Sequence, residues 1–130
     1  MIHLDTSFLI LGLVEGSPQA LELRRWLERE EPLGISAIGW AEFLCGPVSS
    51  GQAALARRFL GDPVAFEAED AAEAATLFNR SGRRRGTLVD CMIAAVALRS
   101  EADLATAHAA DFRRFEPAGL NLLVAGKARL

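Results

Sequence analysis

Short apolar runs alternate along this chain with longer stretches of helical periodicity. That alternation restricts the fold to a parallel sheet covered by helices on both faces. Ile2–Leu4, Leu33–Ser36, Val64–Phe66, Leu104–Thr106 and Leu120–Val124 read as strands. Between them, Asp5-Thr6-Ser7 opens a helix to about Val14, and Ser17-Pro18 opens another to about Glu30 with Ala20, Leu23 and Leu27 on one face. Ala37–Cys45, Ser49–Leu60, about Glu69–Asn79 (Ala71, Ala75 and Phe78 in register), Thr87–Arg99 and Ala110–Phe115 are predicted helices. The expectation is a three-layer α/β/α fold with about five parallel strands, in one domain spanning 1–130. In such sheets ligands bind beyond the carboxyl ends of the strands, where strand order reverses.

The 130 residues are 51% hydrophobic, enough for a core without disulfides. Cys45 and Cys91 form no metal-finger spacing and both lie in apolar runs, so both are expected to be buried in a reducing compartment. Met1-Ile2-His3-Leu4-Asp5 meets an acid at once, unlike a signal peptide, and the longest apolar run, Leu88–Leu98, contains Asp90 and is too short to span a bilayer. A cytoplasmic protein is expected. The net charge of −3 argues against a binder coated in basic charge. It leaves room for an acidic, metal-neutralised site beside a local basic patch. All basic residues but Lys127 are arginines, and Arg83-Arg84-Arg85, with Arg80 nearby, forms the densest run. It precedes an apolar helix and is the segment expected to contact a phosphate backbone.

Three acids stand out by their surroundings. Asp5 closes the first strand, where it serves either as a helix N-cap or as a site acid. Glu42 is the one charge in Ile38–Cys45; a buried carboxylate there needs an arginine or a cation, and the alternative is the exposed face of a short helix. Asp90 stands three residues after Thr87, at capping-box spacing, but that box is ordinarily closed by Glu or Gln. Ala94 and Ala97 share its helix face and leave room for a ligand or for close helix approach. His108 and Asp111 follow the fourth strand, where Asp111 has the option of capping the next helix. Acids gathered at one sheet end repel one another unless a cation is present. Oxygen ligands without a Cys–His set favour Mg²⁺, with Mn²⁺ possible, over zinc. Such a cation can activate water and offset charge on a phosphodiester. Gly34–Gly39 is only a near miss to the serine-hydrolase elbow, and no Walker or dinucleotide motif is present.

These features resemble the PIN domain and, within it, the VapC-like toxins of bacterial toxin–antitoxin pairs. The resemblance rests on the start Ile2-His3-Leu4-Asp5-Thr6-Ser7, on Glu42 with Gly46, on Asp90 with Ile93-Ala94-Ala95 and Ala97, and on Thr106 with Asp111-Phe112. It implies that Asp5, Glu42 and Asp90 hold a divalent metal, that Asp111 is a further catalytic acid, and that Thr6 and Thr106 place hydroxyls nearby. It further implies a metal-dependent endoribonuclease, a homodimer, and a small VapB-like antitoxin. One departure is His108, where the family often has Asp or Asn; an imidazole adds no negative charge, which leaves a second metal position in doubt. Two other readings stay open, a PIN-like binding protein with weak or no catalysis and a nuclease acting on DNA.

Overall fold

The first apolar run forms β1 (Ile2–Leu4), and the computed structural model, which describes residues 1–126, builds the other elements around it. The last four residues of the expected 1–130 domain, Lys127 among them, lie outside the described residues. In chain order follow α1 (Thr6–Gly12), α2 (Pro18–Glu28), β2 (Leu33–Gly34), α3 (Ala37–Cys45), α4 (Ser50–Leu60), α5 (Ala68–Arg80), α6 (Leu88–Arg99), β3 (Asp103–Ala105), α7 (Ala109–Phe112), a 3₁₀ segment (Arg113–Ala118) and β4 (Leu122–Leu123). Serine caps start three helices: Ser17, Ser36 and Ser49 each accept a backbone N–H of the first turn. Ser36, the middle of the near-miss hydrolase motif, is therefore a cap. No described helix is long and apolar enough to cross a membrane.

The sheet is parallel throughout, in the order β2-β1-β3-β4. Among the described residues it has four strands rather than about five. Val64 makes a single bridge to Ser36 and no strand follows. Its backbone bonds to Ile35 and Ala37, and the neighbouring segment turns into α3 at Ala37, so the ladder ends there; the Ala65 carbonyl accepts from the Arg99 guanidinium instead.

Side chains alternate across the sheet and feed two cores. Ile2, Leu4, Ala105 and Leu123 pack on one face with Phe8, Leu23, Trp26 and Leu60, and Phe8 stacks on Trp26 at 5.3 Å. Leu104 packs on the other with Ala74, Leu77, Cys91 and Phe112. These are the three expected layers.

Several faces differ from the sequence reading. Trp26, not Leu27, joins Leu23 inside; Leu27 is exposed. α1 stops at Gly12 and leaves Val14 exposed. On α5 the inward residues are Asp70, Ala74 and Leu77, because Asp70 turns in to meet Arg99, and this rotates Ala71 and Ala75 to solvent. Cys91 is buried, but Cys45 is exposed at the last turn of α3, whose inward face is taken by Gly39 and Phe43.

His3 is a buried imidazole in the centre of the sheet, and neither ring nitrogen has a hydrogen-bond partner among the described residues. It sits between Gly34 and Leu104 on neighbouring strands, and a Cβ at Gly34 would come within 3.1 Å of its ring. Burial, with the nearby positive N-terminus and Arg99, lowers its pKa from 6.5 to about 4. A base whose folded pKa is depressed contributes stability present above pH 6.5 and lost as pH falls towards 4. Replacing His3 with Leu should therefore help in acid. Relative to wild type, the variant should gain about 2–3 kcal/mol between pH 7.5 and pH 4.5. Denaturant titration at the two pH values measures this; an unchanged difference would mean His3 does not titrate in that range.

Candidate active site

The strand order reverses beside β1: the chain passes from β1 to β2 on one side and later to β3 on the other. The residues just past the carboxyl ends of β1 and β3 therefore meet at the switch point. They are Asp5 and Thr106. Thr106 Oγ1 donates to Asp5 Oδ2 at 2.6 Å, and both side chains are buried.

Asp5 performs both of the jobs its position offered. Its Oδ1 accepts from the Phe8 amide at 2.8 Å, capping α1, and from Ser7 Oγ at 2.7 Å. A carboxylate has about four lone-pair sites. With three in use, one is left on Oδ2. Burial raises the Asp5 pKa, and the bonds from Thr106, Phe8 and Ser7 partly offset this. Ser7 also accepts from the Ala107 amide at 3.1 Å, and Thr106 Oγ1 from the His108 amide at 2.9 Å. These two hydroxyls tie the loop after β3 to the start of α1. Sequence reasoning gave Ser7 no such part, since its second partner is a hundred residues away.

Asp5, Thr6, Ser7, Ile10, Glu42, Asp90, Ile93, His108, Asp111 and Phe112 line one pocket of about 260 Å³. Every acid the sequence singled out is in it, with Thr6 and His108; Thr106 stands behind Asp5. α3 crosses this end of the sheet, placing Phe43 in one core and Ile38 against the other. Glu42 is thereby brought to the pocket mouth, exposed rather than buried as one reading had it. The charge is solvated there, so it needs no buried counter-ion. Thr6 Oγ1 fixes it with a 2.9 Å bond to Oε1.

Asp90 is not the closing member of a capping box. Thr87 makes no side-chain cap bond and instead donates to the Arg84 carbonyl at 2.6 Å. The Asp90 carboxylate turns to the pocket, and its one ion-pair contact among the described residues is Arg114 Nη2 at 3.5 Å. Burial, then repulsion from Asp111, Glu42 and Asp5, outweighs Arg114 and raises its pKa from 3.8 to about 6. Ala94 and Ala97 are fully buried, so these small residues serve close packing and Ile93 lines the pocket instead. Asp111 lies within α7 and does not cap it; the cap position is His108, which makes no side-chain cap bond. Arg83, Arg84 and Arg85 are exposed in the loop before α6 and do not line the pocket. They are joined to it through the chain, since α6 carries Asp90 in its first turn.

Carboxylate and hydroxyl oxygens are the donors that hard cations such as Mg²⁺ or Mn²⁺ prefer. Among the described residues no three acids, cysteines or histidines are gathered closely enough to enclose a metal unaided. Asp5 has one free lone pair and Glu42 stands at the mouth. The donor set thus fits a cation that keeps several waters, as Mg²⁺ does, and not a dehydrated cage.

The PIN-domain family profile matches residues 2–116. Three solved structures share the fold along almost the whole chain. They are a VapBC complex of Rickettsia felis bound to a promoter DNA fragment (TM-score 0.73, 20% identity, covering 95% of this chain and 98% of that one), a toxin–antitoxin complex of Klebsiella pneumoniae (0.70, 21%, 98% and 100%) and a FitAcB complex of Neisseria gonorrhoeae (0.68, 20%, 95% and 96%). No curated protein sequence matches.

Proposed function

This chain belongs to the PIN-domain family, a family of nucleases, and from that premise we propose that it is a divalent-metal-dependent endoribonuclease, the toxin of a toxin–antitoxin pair, working in the cytoplasm. The observation that carries the reading is the convergence of Asp5, Glu42, Asp90 and Asp111 on one pocket at the switch point of the sheet. Burial, with repulsion from Asp111, Glu42 and Asp5, raises the Asp90 pKa to about 6, and a bound cation would relieve the repulsion.

In this reading Asp5, Glu42 and Asp90 hold the cation, which when bound supplies Lewis acidity and offsets charge on the phosphodiester. Asp5 offers its one free lone pair in a fixed direction, because Thr106, Ser7 and the Phe8 amide hold the carboxylate rigid. Thr6 holds Glu42 over the mouth. Water attacks phosphorus, one of the four carboxylates accepts its proton, and the bond to the leaving oxygen breaks. The exposed Arg83–Arg85 run supplies backbone contacts on the approach to Asp90.

The test is cleavage of a labelled mixed-sequence RNA with Mg²⁺ or Mn²⁺, EDTA and a DNA strand of the same sequence serving as controls. Metal-dependent RNA cleavage supports the reading, and preferential cutting of DNA would replace it. His108 motivates a second reading, a PIN-like binding protein with little catalysis; absence of metal binding in calorimetry, together with no cleavage, would favour that one. Repeating the RNA-binding arm with Arg83, Arg84 and Arg85 changed to Ala should weaken affinity and flatten its salt dependence, each lost phosphate contact removing about 0.7 from the logarithmic slope. An unaltered slope would remove the segment from the interface.

A VapB-like partner is supported by an apolar groove of about 430 Å³ between α1, α2 and α4. Leu23, Leu27, Leu55 and Phe59 line it, with Arg24 and Glu28 at its edge. Leu27 and Leu55, both largely exposed, suit the apolar face of an added helix. Changing Leu27 to Glu should abolish co-purification with an antitoxin encoded beside the toxin while leaving RNA cleavage intact; retained co-purification would place the partner elsewhere. A homodimer is also proposed, since the neighbouring α3 and α6 expose Leu44, Leu88 and Val89. A single monomeric species in sedimentation at micromolar concentration would overturn it.

A further inference from the structure

A further cavity, of about 170 Å³, lies between the end of α5 and the 3₁₀ segment. It is lined by Thr76, Leu77, Arg80 and Ser81 on one side and by Arg114, Pro117 and Ala118 on the other, with Glu73 also in its wall. Its two guanidinium groups are not used up. Arg80 has no ion pair among the described residues and reaches the cavity from an exposed position. Arg114 lies over Phe115, 4.9 Å from the ring centroid; its Nε is buried without a hydrogen-bond partner among the described residues, so the end of the guanidinium is what it offers the cavity. Only its Nη2 is engaged, by Asp90 at 3.5 Å, longer than a tight charge-assisted bond of about 2.7–2.9 Å.

Other charges at this end of α5 are accounted for. The Leu77 carbonyl accepts the Ser81 amide, and the Phe78 carbonyl accepts Ser81 Oγ and the Arg83 amide. The negative end of the helix is therefore partly covered, and Glu73 is set against two arginines. Leu77, Pro117 and Ala118 make an apolar floor without further donors. A small, donor-rich, net-positive cavity with an apolar floor suits a phosphodiester group with part of its sugar.

Arg114 joins this cavity to the acidic pocket, since the same side chain lines one and touches Asp90 in the other. Resting on the ribonuclease reading above, we infer that Arg80 and Arg114 form a subsite for an RNA phosphate flanking the one that is cut. Arg114 would hold that phosphate through Nη1 while keeping its Nη2 on Asp90, which couples the position of the strand to the acidic pocket. The pocket then grips RNA on two sides of the cut, by the Arg83–Arg85 run and by this cavity.

The test needs no cleavage. Inorganic pyrophosphate, titrated into ¹⁵N-labelled protein in EDTA, should shift the Nε–H signals of Arg80 and Arg114, and Arg80→Gln, at an exposed position, should weaken that binding about fivefold or more. A labelled RNA oligomer carrying one neutral methylphosphonate at successive positions should then lose affinity several-fold at one position with wild type. The Arg80→Gln protein should start lower and be insensitive at that position. Arginine signals that do not move, or an Arg80→Gln variant as sensitive as wild type at every position, would overturn the subsite. Pyrophosphate binding at both arginines without any RNA binding would overturn the RNA assignment and the ribonuclease reading together, leaving a bare anion site.

Discussion

Replacing Asp90 with Asn is expected to lower metal-dependent RNA cleavage by about a hundredfold or more and, in the same protein, to raise the stability of the metal-free fold. Both effects have one cause. Asp90 is half-buried and faces Asp111, Glu42 and Asp5, so its ionised form is disfavoured and its pKa rises from 3.8 to about 6. A carboxyl whose folded pKa is raised contributes stability fully present below pH 3.8, and that contribution is lost as pH rises through 6. Near neutral pH the ionised carboxylate therefore works against folding. The side chain is 31% exposed, so solvent screening reduces the penalty to about 1–2 kcal/mol. Asparagine removes the charge and keeps an oxygen for Arg114. In EDTA the variant should melt above wild type at pH 7.5 and close to it at pH 4. Added Mg²⁺ should narrow the gap at pH 7.5 by stabilising wild type more, through binding linkage. A variant that is less stable than wild type at pH 7.5 in EDTA would show that the Arg114 contact outweighs the repulsion. Cleavage at the wild-type rate would remove Asp90 from the site.

The position of that penalty explains how much of the site could be read in advance. Asp5, Glu42 and Asp90 were visible because each breaks a local pattern: an acid ending an apolar strand, and single charges within apolar helices. Their convergence followed from the α/β alternation, which sends strand ends to one side of the sheet. What could not be read was orientation. Capping-box spacing at Thr87 and Asp90 is a statement about sequence distance, and the Thr87 hydroxyl bonds backward to Arg84 instead. Ser7, Arg114 and the Asp70–Arg99 pair act through partners far along the chain, so no local pattern marks them. The helix faces of α2 and α5 were misjudged for a related reason. Periodicity gives an apolar stripe, but a neighbouring Trp26 or a buried Asp70 turns the helix by a residue. The missing strand after Val64 is the same lesson in the backbone: the neighbouring segment turns into α3 at Ala37 and leaves no ladder to extend, and the next carbonyl, that of Ala65, is held by an arginine side chain, Arg99.

That arginine carries the largest expected effect on stability. Asp70 is only 1% exposed, yet it is ionised at neutral pH. Burial alone would raise its pKa, but bonds from Arg99 Nε at 2.8 Å and the Glu67 amide at 2.9 Å, with the charge of Arg99, bring it below its ordinary value. Arg99 also donates to the Ala65 carbonyl at 2.8 Å and so ties α6 to both α5 and the segment after the Ser36–Val64 bridge. Changing Arg99 to Met keeps the apolar stem and removes the head. The buried carboxylate is then left uncompensated, at a cost of about 2–4 kcal/mol. That corresponds to a fall of roughly 10 °C in melting temperature for a domain this size. Because the folded pKa of Asp70 is depressed in the wild type, the pair contributes stability above pH 3.8 that is lost as pH falls further, so the deficit of the variant should shrink in acid. The double change Asp70→Asn with Arg99→Met should recover part of the loss, since it removes the orphaned charge. Thermal melts of the wild type, the Arg99 variant and the double variant at pH 7.5 test this. A double variant no more stable than the Arg99→Met protein would show that the loss comes from the Ala65 carbonyl and the packing of the stem, and that the buried charge contributes little.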